Sequence, residues 1–290
     1  MHPISYLQAL LIGLLQGVSE LFPVSSLGHS VVLPRLLGWN IHQNDEYFIT
    51  FLVATHLATA VVLLAFFWRD WVRIVGGVLG SLRDREIRPE DTDAKLGWLL
   101  LVGTIPAGLL GLLLEQTLRG VFASAQSAAL FLILNGVMLF GAERLRRRAA
   151  GPDELATDAD ARIATRLSWR DTLIVGAAQA VALIPGFSRS GASMGGGLLV
   201  GLSNEDAARF SFLLATPIIG AAAALKLPEL LGPGGEGVRG PALVGALGSA
   251  VTAYLAVRFL MRYFHTHRLT PFAVYCIAAG VLLSLYFLVT

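Results

Sequence analysis

Apolar stretches recur along this chain at residues 4–22, 27–37, 47–67, 97–114, 124–142, 172–201, 207–225, 240–260 and 271–289. Most approach or exceed the roughly 20 residues that a helix needs to cross a hydrocarbon core. This pattern confines the fold to a bilayer, and composition agrees: 14% of residues are charged, against about a quarter in soluble domains. Two stretches are not simple spans. Residues 27–37 are too few and follow Pro23, whereas 172–201 is interrupted by Pro185, Gly186 and Gly191. Irregular backbone at membrane depth survives only where protein or a wet cavity covers it. The expected fold is therefore an all-α polytopic membrane protein, one integral domain over 1–290, with six transmembrane helices and two re-entrant helical hairpins.

The two halves resemble each other. At a constant offset of 163 residues, Gly13, Gln16, Ser25 and Gly28 fall on Gly176, Gln179, Ser188 and Gly191. In the same order, 51–55 (FLVAT) resembles 212–216 (FLLAT), Leu101–Gly103 resembles Leu243–Gly245, and Gly136–Val137 resembles Gly280–Val281. An internal duplication accounts for all of these matches, with a first repeat over 1–142, a cytoplasmic linker over 143–171 and a second repeat over 172–290.

Basic residues set the orientation. Arg69, Arg73, Arg83, Arg85, Arg88 and Lys95 follow the third apolar stretch; Arg144, Arg146, Arg147, Arg148, Arg162, Arg166 and Arg170 follow the fifth; Arg258, Arg262 and Arg268 surround a later turn. These regions are expected to be solvated cytoplasmic connectors, while the opposite turns carry only scattered charges such as Arg119, Lys226 and Arg239. Six spans then place both termini outside, the first hairpin entering from outside and the second from inside, so the repeats are inverted and their broken tips meet near the midplane. Met1–Leu15 has no basic signal start and is expected to remain in the mature protein. The net charge of +2 is too small to imply a nucleic-acid partner, and Cys276, the only cysteine, is expected to pack rather than react.

Chemistry-bearing residues gather at the two breaks. Residues 16–29, QGVSELFPVSSLGH, hold Gln16 and Glu20 one helical turn apart, then Ser25, Ser26 and His29. An ionised carboxylate in lipid needs a cation, a basic side chain or water, so Glu20 demands a partner. One of Ser25 and Ser26 is expected to cap the following helix. His29, beside two hydroxyls, is a candidate base or nucleophile. The second break, PGFSRSGAS over 185–193, places Arg189 between Ser188, Ser190, Gly191 and Ser193; a guanidinium fork matches phosphate or carboxylate oxygens, and the glycine permits close backbone approach. A Glu20–Arg189 salt bridge is compatible with function if it opens around substrate. His56, inside a span, reads as a satisfied polar core group.

These motifs resemble those of the bacterial undecaprenyl-diphosphate phosphatases associated with bacitracin resistance: an acidic Glu-or-Gln-x-x-x-Glu motif leading into PVSSxGH, and a distal PGxSRSxxT motif. Here they read Gln16–Glu20, Pro23–His29 and Pro185–Ser193. The resemblance implies a multi-pass inner-membrane hydrolase that removes one phosphate from undecaprenyl diphosphate and recycles the lipid carrier for peptidoglycan synthesis, with a divalent cation, Mg²⁺ or Ca²⁺, near Glu20 and Gln16. It also implies that Arg189, Ser25, Ser188, Ser190, Gly191 and Ser193 bind phosphate. Gln16 is the neutral variant of its position, and Ser193 replaces the motif's threonine. Ser26 as nucleophile with His29 as its base is one assignment; direct attack by His29 or by water stays open, as does the cation's identity. A lipid flippase or secondary transporter is the competing reading, and a homodimer is compatible with the sequence.

Overall fold

The computed structural model of the protein describes residues 4–41, 45–122, 124–149, 158–232 and 235–289. Among these, the chain forms α1 (Tyr6–Leu21), α2 (Ser26–Leu36), α3 (Glu46–Phe66), α4 (Trp68–Asp84), α5 (Thr92–Phe122) and α6 (Ala125–Ala149). It continues with α7 (Ala159–Arg166), α8 (Trp169–Ala180), α9 (Arg189–Leu199), α10 (Asn204–Leu231), α11 (Arg239–Tyr263) and α12 (Thr270–Val289), with a 3₁₀ turn over Val181–Leu183. Six helices, α3, α5, α6, α10, α11 and α12, are long and apolar enough to cross a membrane, the number expected. The motif-bearing helices α2 and α9 have only 11 residues each, about 16 Å at 1.5 Å per residue, roughly half a hydrocarbon core.

Two helices occupy regions expected to be connectors. In α4, Ile74 and Ser81 are buried, and Trp98 of α5 donates from Nε1 to Ser81 Oγ at 2.9 Å. Trp68, Val72, Val75, Leu79 and Leu82 form an exposed stripe on the same helix, at the three-to-four spacing of an amphipathic helix lying along a membrane surface. The arginines among them gave the segment the look of a loop. The linker contains α7, capped by Asp158; its residues 150–157 lie outside the described residues, as do the side chains of Arg119, Arg147 and Arg148.

Packing depends on glycines. A Cβ on Gly13 of α1 would overlap the Gly245 carbonyl of α11, and one on Gly176 of α8 would overlap the Gly103 carbonyl of α5. Between α6 and α12, Gly136 faces the Ala273 carbonyl and Gly280 the Ala129 carbonyl. Lipid supplies no hydrophobic drive between helices, so such close backbone approach carries the association. Gly13→Ala is therefore expected to destabilise the fold by about 1–3 kcal/mol through overpacking, read as a lower melting temperature in detergent. Gly76→Ala, with open space around it, is the control expected to show no loss.

The three basic regions converge at one end of the bundle. Fully buried Asp160 of α7 accepts from Arg209 Nε of α10 at 2.6 Å and from Arg73 Nη2 of α4 at 2.8 Å. Arg162 pairs with Asp206 at 2.7 Å, and Arg146 Nε donates to the Leu202 carbonyl at 3.2 Å. Leu269 N–H donates to Glu143 Oε2 at 3.1 Å, tying in the turn before α12. A separate apolar cluster gathers Ile4, Ile41, Phe48, Val238 and Ala242.

Candidate active site

The two breaks are built alike and touch. After α1 the chain turns through Phe22–Ser25, where Pro23 contributes no N–H. Ser25 has φ +71°, a conformation costly for a residue with a Cβ and held only where its surroundings fix it. Its Oγ accepts from Gly28 N–H at 3.2 Å, and its carbonyl accepts from His29 Nδ1 at 2.7 Å. In the second break Gly186 has φ +106°, and Ser188 Oγ accepts from Gly191 N–H at 3.0 Å. Ser25 and Ser188 are thus the matching N-caps of α2 and α9. A Cβ on Gly28 would stand 3.2 Å from Gly186 Cα, so the loops meet where two glycines admit them, and Ser190 Oγ donates to the Phe22 carbonyl across the join at 3.1 Å.

Because Ser25 takes the cap, the Ser26 hydroxyl is available to Glu20, and it donates to Glu20 Oε2 at 2.5 Å. Arg189 reaches Glu20 Oε1 with Nε at 3.3 Å and Nη2 at 3.0 Å. Among the described residues its buried Nη1 has no hydrogen-bond partner. From α3, His56 Nε2 lies 3.3 Å from Glu20 Oε2 while its Nδ1 lies 2.8 Å from the Leu52 carbonyl. A carbonyl can only accept, so Nδ1 carries a hydrogen, and the Nε2–Oε2 contact then needs a second proton, held by the imidazole or by the carboxyl. One buried carboxylate of α1 therefore joins a hydroxyl, a guanidinium and an imidazole from three other helices.

The remaining site candidates have other surroundings. His29 Nε2 lies 2.8 Å from the Tyr275 hydroxyl of α12, and the two rings stack with centroids 5.9 Å apart; with Nδ1 on Ser25, both ring nitrogens are engaged away from Ser26. Gln16 Oε1 accepts from Ser249 Oγ at 2.5 Å and Thr59 Oγ1 at 3.2 Å. Ser193 Oγ donates to the Arg189 carbonyl at 2.9 Å and meets Ser211 Oγ at 2.5 Å, which points it at α10. Ser188 Oγ and Ser190 Oγ lie 3.0 Å apart. His56, expected to be a satisfied polar core group, instead contacts Glu20, and Asn135 and Tyr275, which belong to neither motif, also reach the two breaks. Their available signal was a polar group in the middle of an apolar span.

A resident Mg²⁺ or Ca²⁺ calls for six or more oxygen ligands, or fewer with several waters. Here Glu20 turns both oxygens to cationic or hydroxyl donors, the Gln16 oxygen is taken by two hydroxyls, and among the described residues no three His, Cys, Asp or Glu converge as a metal cluster. In this arrangement the oxygens of Glu20 and Gln16, the residues expected to lie near a divalent cation, are thus bonded to side-chain donors, and Mg²⁺ is commonly bound by one or two carboxylates together with substrate phosphates.

The family model described as "Bacitracin resistance protein BacA" matches residues 9–282. The chain is 52% identical over 294 residues to the "Undecaprenyl-diphosphatase" of Mycolicibacterium paratuberculosis, covering 96% of this chain and 95% of that protein. It is 45% identical to the "Undecaprenyl-diphosphatase 2" of Frankia alni over 99% of both chains, and 46% identical to the "Undecaprenyl-diphosphatase" of Granulibacter bethesdensis over 95% and 94%. With its six apolar spans and its two motifs joined at Glu20, the chain is a multi-pass membrane protein that belongs to the bacitracin resistance protein BacA family.

Proposed function

We propose that this protein is a membrane phosphatase that hydrolyses undecaprenyl diphosphate to undecaprenyl phosphate and inorganic phosphate, in keeping with full-length relatives named undecaprenyl-diphosphatase. The observation that carries the reading is the bonding of Glu20 to both Ser26 and Arg189, which puts a nucleophile, its base and an anion-binding fork at one point. Arg189 exchanges its Glu20 contact for the terminal phosphate, and its unpartnered Nη1 adds a further donor. Glu20 then takes the Ser26 proton while Ser26 Oγ bonds to the terminal phosphorus and the anhydride P–O bond breaks, releasing the lipid monophosphate. Glu20 gives that proton to the departing lipid monophosphate. Water then attacks the phosphoserine and gives a proton to Glu20, and Glu20 returns it to Ser26 Oγ as the P–Oγ bond breaks and inorganic phosphate leaves. Such transfer depends on positioning and charge stabilisation. His29 is assigned to holding the Ser25 carbonyl and hence the strained loop. A divalent cation, Mg²⁺ or Ca²⁺, would be held near Glu20 and Gln16 and would offset the diphosphate charge; no step is routed through it.

Purified protein in detergent is expected to release phosphate from a prenyl diphosphate, and Arg189→Ala to lose that activity by about 10³-fold, the scale of removing a preorganised charge-stabilising donor. Lipid binding without release in the unmodified protein would instead favour a flippase. His56→Leu is expected to lower kcat by roughly 10–100-fold, since it strips one partner from a buried carboxylate, whereas His56→Gln, which keeps a donor, stays within about threefold.

We further propose that α1–α2 and α8–α9 are re-entrant hairpins of an inverted repeat. Supporting this, Ile4 before α1 and Ile41 after α2 share one apolar cluster, while Gly201 after α9 lies against the Arg166 guanidinium, which precedes α8. The glycine crossings of α1 on α11 and of α8 on α5, and the caps Ser25 and Ser188, are those that the internal duplication pairs. The basic end is assigned to the cytoplasm and the termini and site opening to the other side. A membrane-impermeant maleimide is expected to label Leu37→Cys from outside intact cells and Arg88→Cys only after permeabilisation; the reverse pattern overturns the orientation.

A further inference from the structure

Asn135 lies midway along α6 and is 0% exposed. Its Nδ2 donates to the Pro23 carbonyl at 3.0 Å, and its Oδ1 accepts from Ser188 N–H at 3.0 Å. The orientation of the amide follows from chemistry, because a carbonyl can only accept and a backbone N–H can only donate. Pro23 stands three residues before Ser26, and Ser188 immediately precedes Arg189. One side chain therefore spans the two breaks and bonds to the backbone of each. The same face of α6 supports the join further: the Ala128 carbonyl and Phe131 Cβ crowd Gly186, and Leu139 lies beside Gly191.

We propose that Asn135 is a positioning residue that fixes the separation of Ser26 and Arg189, and so the place of the terminal phosphorus between nucleophile and guanidinium. The inference rests on the phosphatase reading. Among side chains of this length in their usual state at neutral pH, only an amide offers a donor and an acceptor at the same branch point. An ionised Asp presents two acceptors and repels the Pro23 carbonyl, whereas a carboxylic acid restores the donor. Leu fills the volume and takes from both backbone groups their Asn135 hydrogen bond, leaving the Pro23 carbonyl only the long Cys276 Sγ contact at 3.7 Å. Neither loop has a regular ladder to hold it, and the Ser25 conformation is one that relaxes when its surroundings loosen.

The test uses full-length protein in detergent, comparing the unmodified chain, Asn135→Asp and Asn135→Leu for kcat, KM and melting temperature across pH. Displacing reacting groups by about 1 Å costs on the order of 100-fold, so both variants are expected to lose about 100-fold in kcat at neutral pH at temperatures where they remain folded, with KM changed by less than about threefold. Asn135→Asp is expected to recover activity relative to the unmodified protein as pH falls and its acid form donates to Pro23; Asn135→Leu is expected to show a pH-independent deficit. The proposal is overturned if either variant keeps kcat within threefold of the unmodified protein, if the Asp variant shows no gain at low pH, or if the deficits vanish once activity is corrected for folded fraction. Failure of the unmodified protein to release phosphate would sink the phosphatase reading instead, which is a separate outcome.

Discussion

Glu20→Gln is expected to reduce kcat by about 10³–10⁴-fold, the largest loss for any conservative substitution in this protein. The carboxylate accepts the Ser26 hydroxyl and faces Arg189 and His56, and a general base in this position contributes about 10²–10⁴-fold. An amide of the same shape can still accept a hydrogen bond, but it takes up no proton and no longer balances the guanidinium. Truncating one partner of a buried ion pair costs about 3–5 kcal/mol, so stability must be separated from chemistry. Glu20→Gln leaves an oxygen for Arg189 and Ser26 and is expected to lose less melting temperature than Glu20→Ala while being equally inactive. Glu20→Asp keeps the charge and retracts it by one methylene, and is expected to fall between. Retention of more than a tenth of the activity by Glu20→Gln, with melting temperature unchanged, would reduce Glu20 to a counter-ion and return the role of base to His29 or to water.

The architecture was legible because its signals are local. Apolar length counts spans, and Pro23, Pro185 and Gly186 mark breaks that no straight helix accommodates, whereas Gly191, also expected to interrupt its stretch, lies inside α9. The demand of Glu20 and Arg189 for partners could be read from the cost of an unpaired charge in lipid, and each is the other's neighbour at 3.0 Å. Which further groups join them could not. Gln16 and Glu20 share one helix at a spacing of four, yet Gln16 bonds to Ser249 and Thr59 while Glu20 bonds across the two breaks. Helix periodicity assigns a face but not what a neighbouring helix brings to it. His56 and Asn135 were hidden for the same reason: a single polar residue in an apolar span announces that it needs a partner, without saying whether that partner is its own preceding turn or a loop 112 residues away. The helix α4 is not legible in the sequence because its arginines look the same on a loop and on one face of a surface helix.

Ser26→Ala is expected to lower phosphate release by at least about 10³-fold and to abolish a trapped covalent intermediate. Three nucleophiles are chemically open, and the geometry separates them. His29 has Nδ1 on the Ser25 carbonyl and Nε2 on Tyr275, so direct attack by its ring requires it to give up a contact on α12. A water nucleophile needs only Glu20 as base, and removing the Ser26 hydroxyl then frees Glu20 Oε2 and leaves activity within about tenfold of the unmodified protein. If Ser26 attacks, Ser26→Ala removes the reacting atom itself, while the Glu20–Arg189 pair and the fold persist, so inactivity comes with an unchanged melting temperature. Acid quenching of the unmodified protein during turnover of a terminally radiolabelled diphosphate is expected to leave acid-stable label on a peptide containing Ser26. Label that is lost in acid but survives base points to phosphohistidine and His29. Ser26→Ala retaining a tenth or more of the activity excludes the serine route, because no other hydroxyl bonded to Glu20 is in place to substitute for it among the described residues.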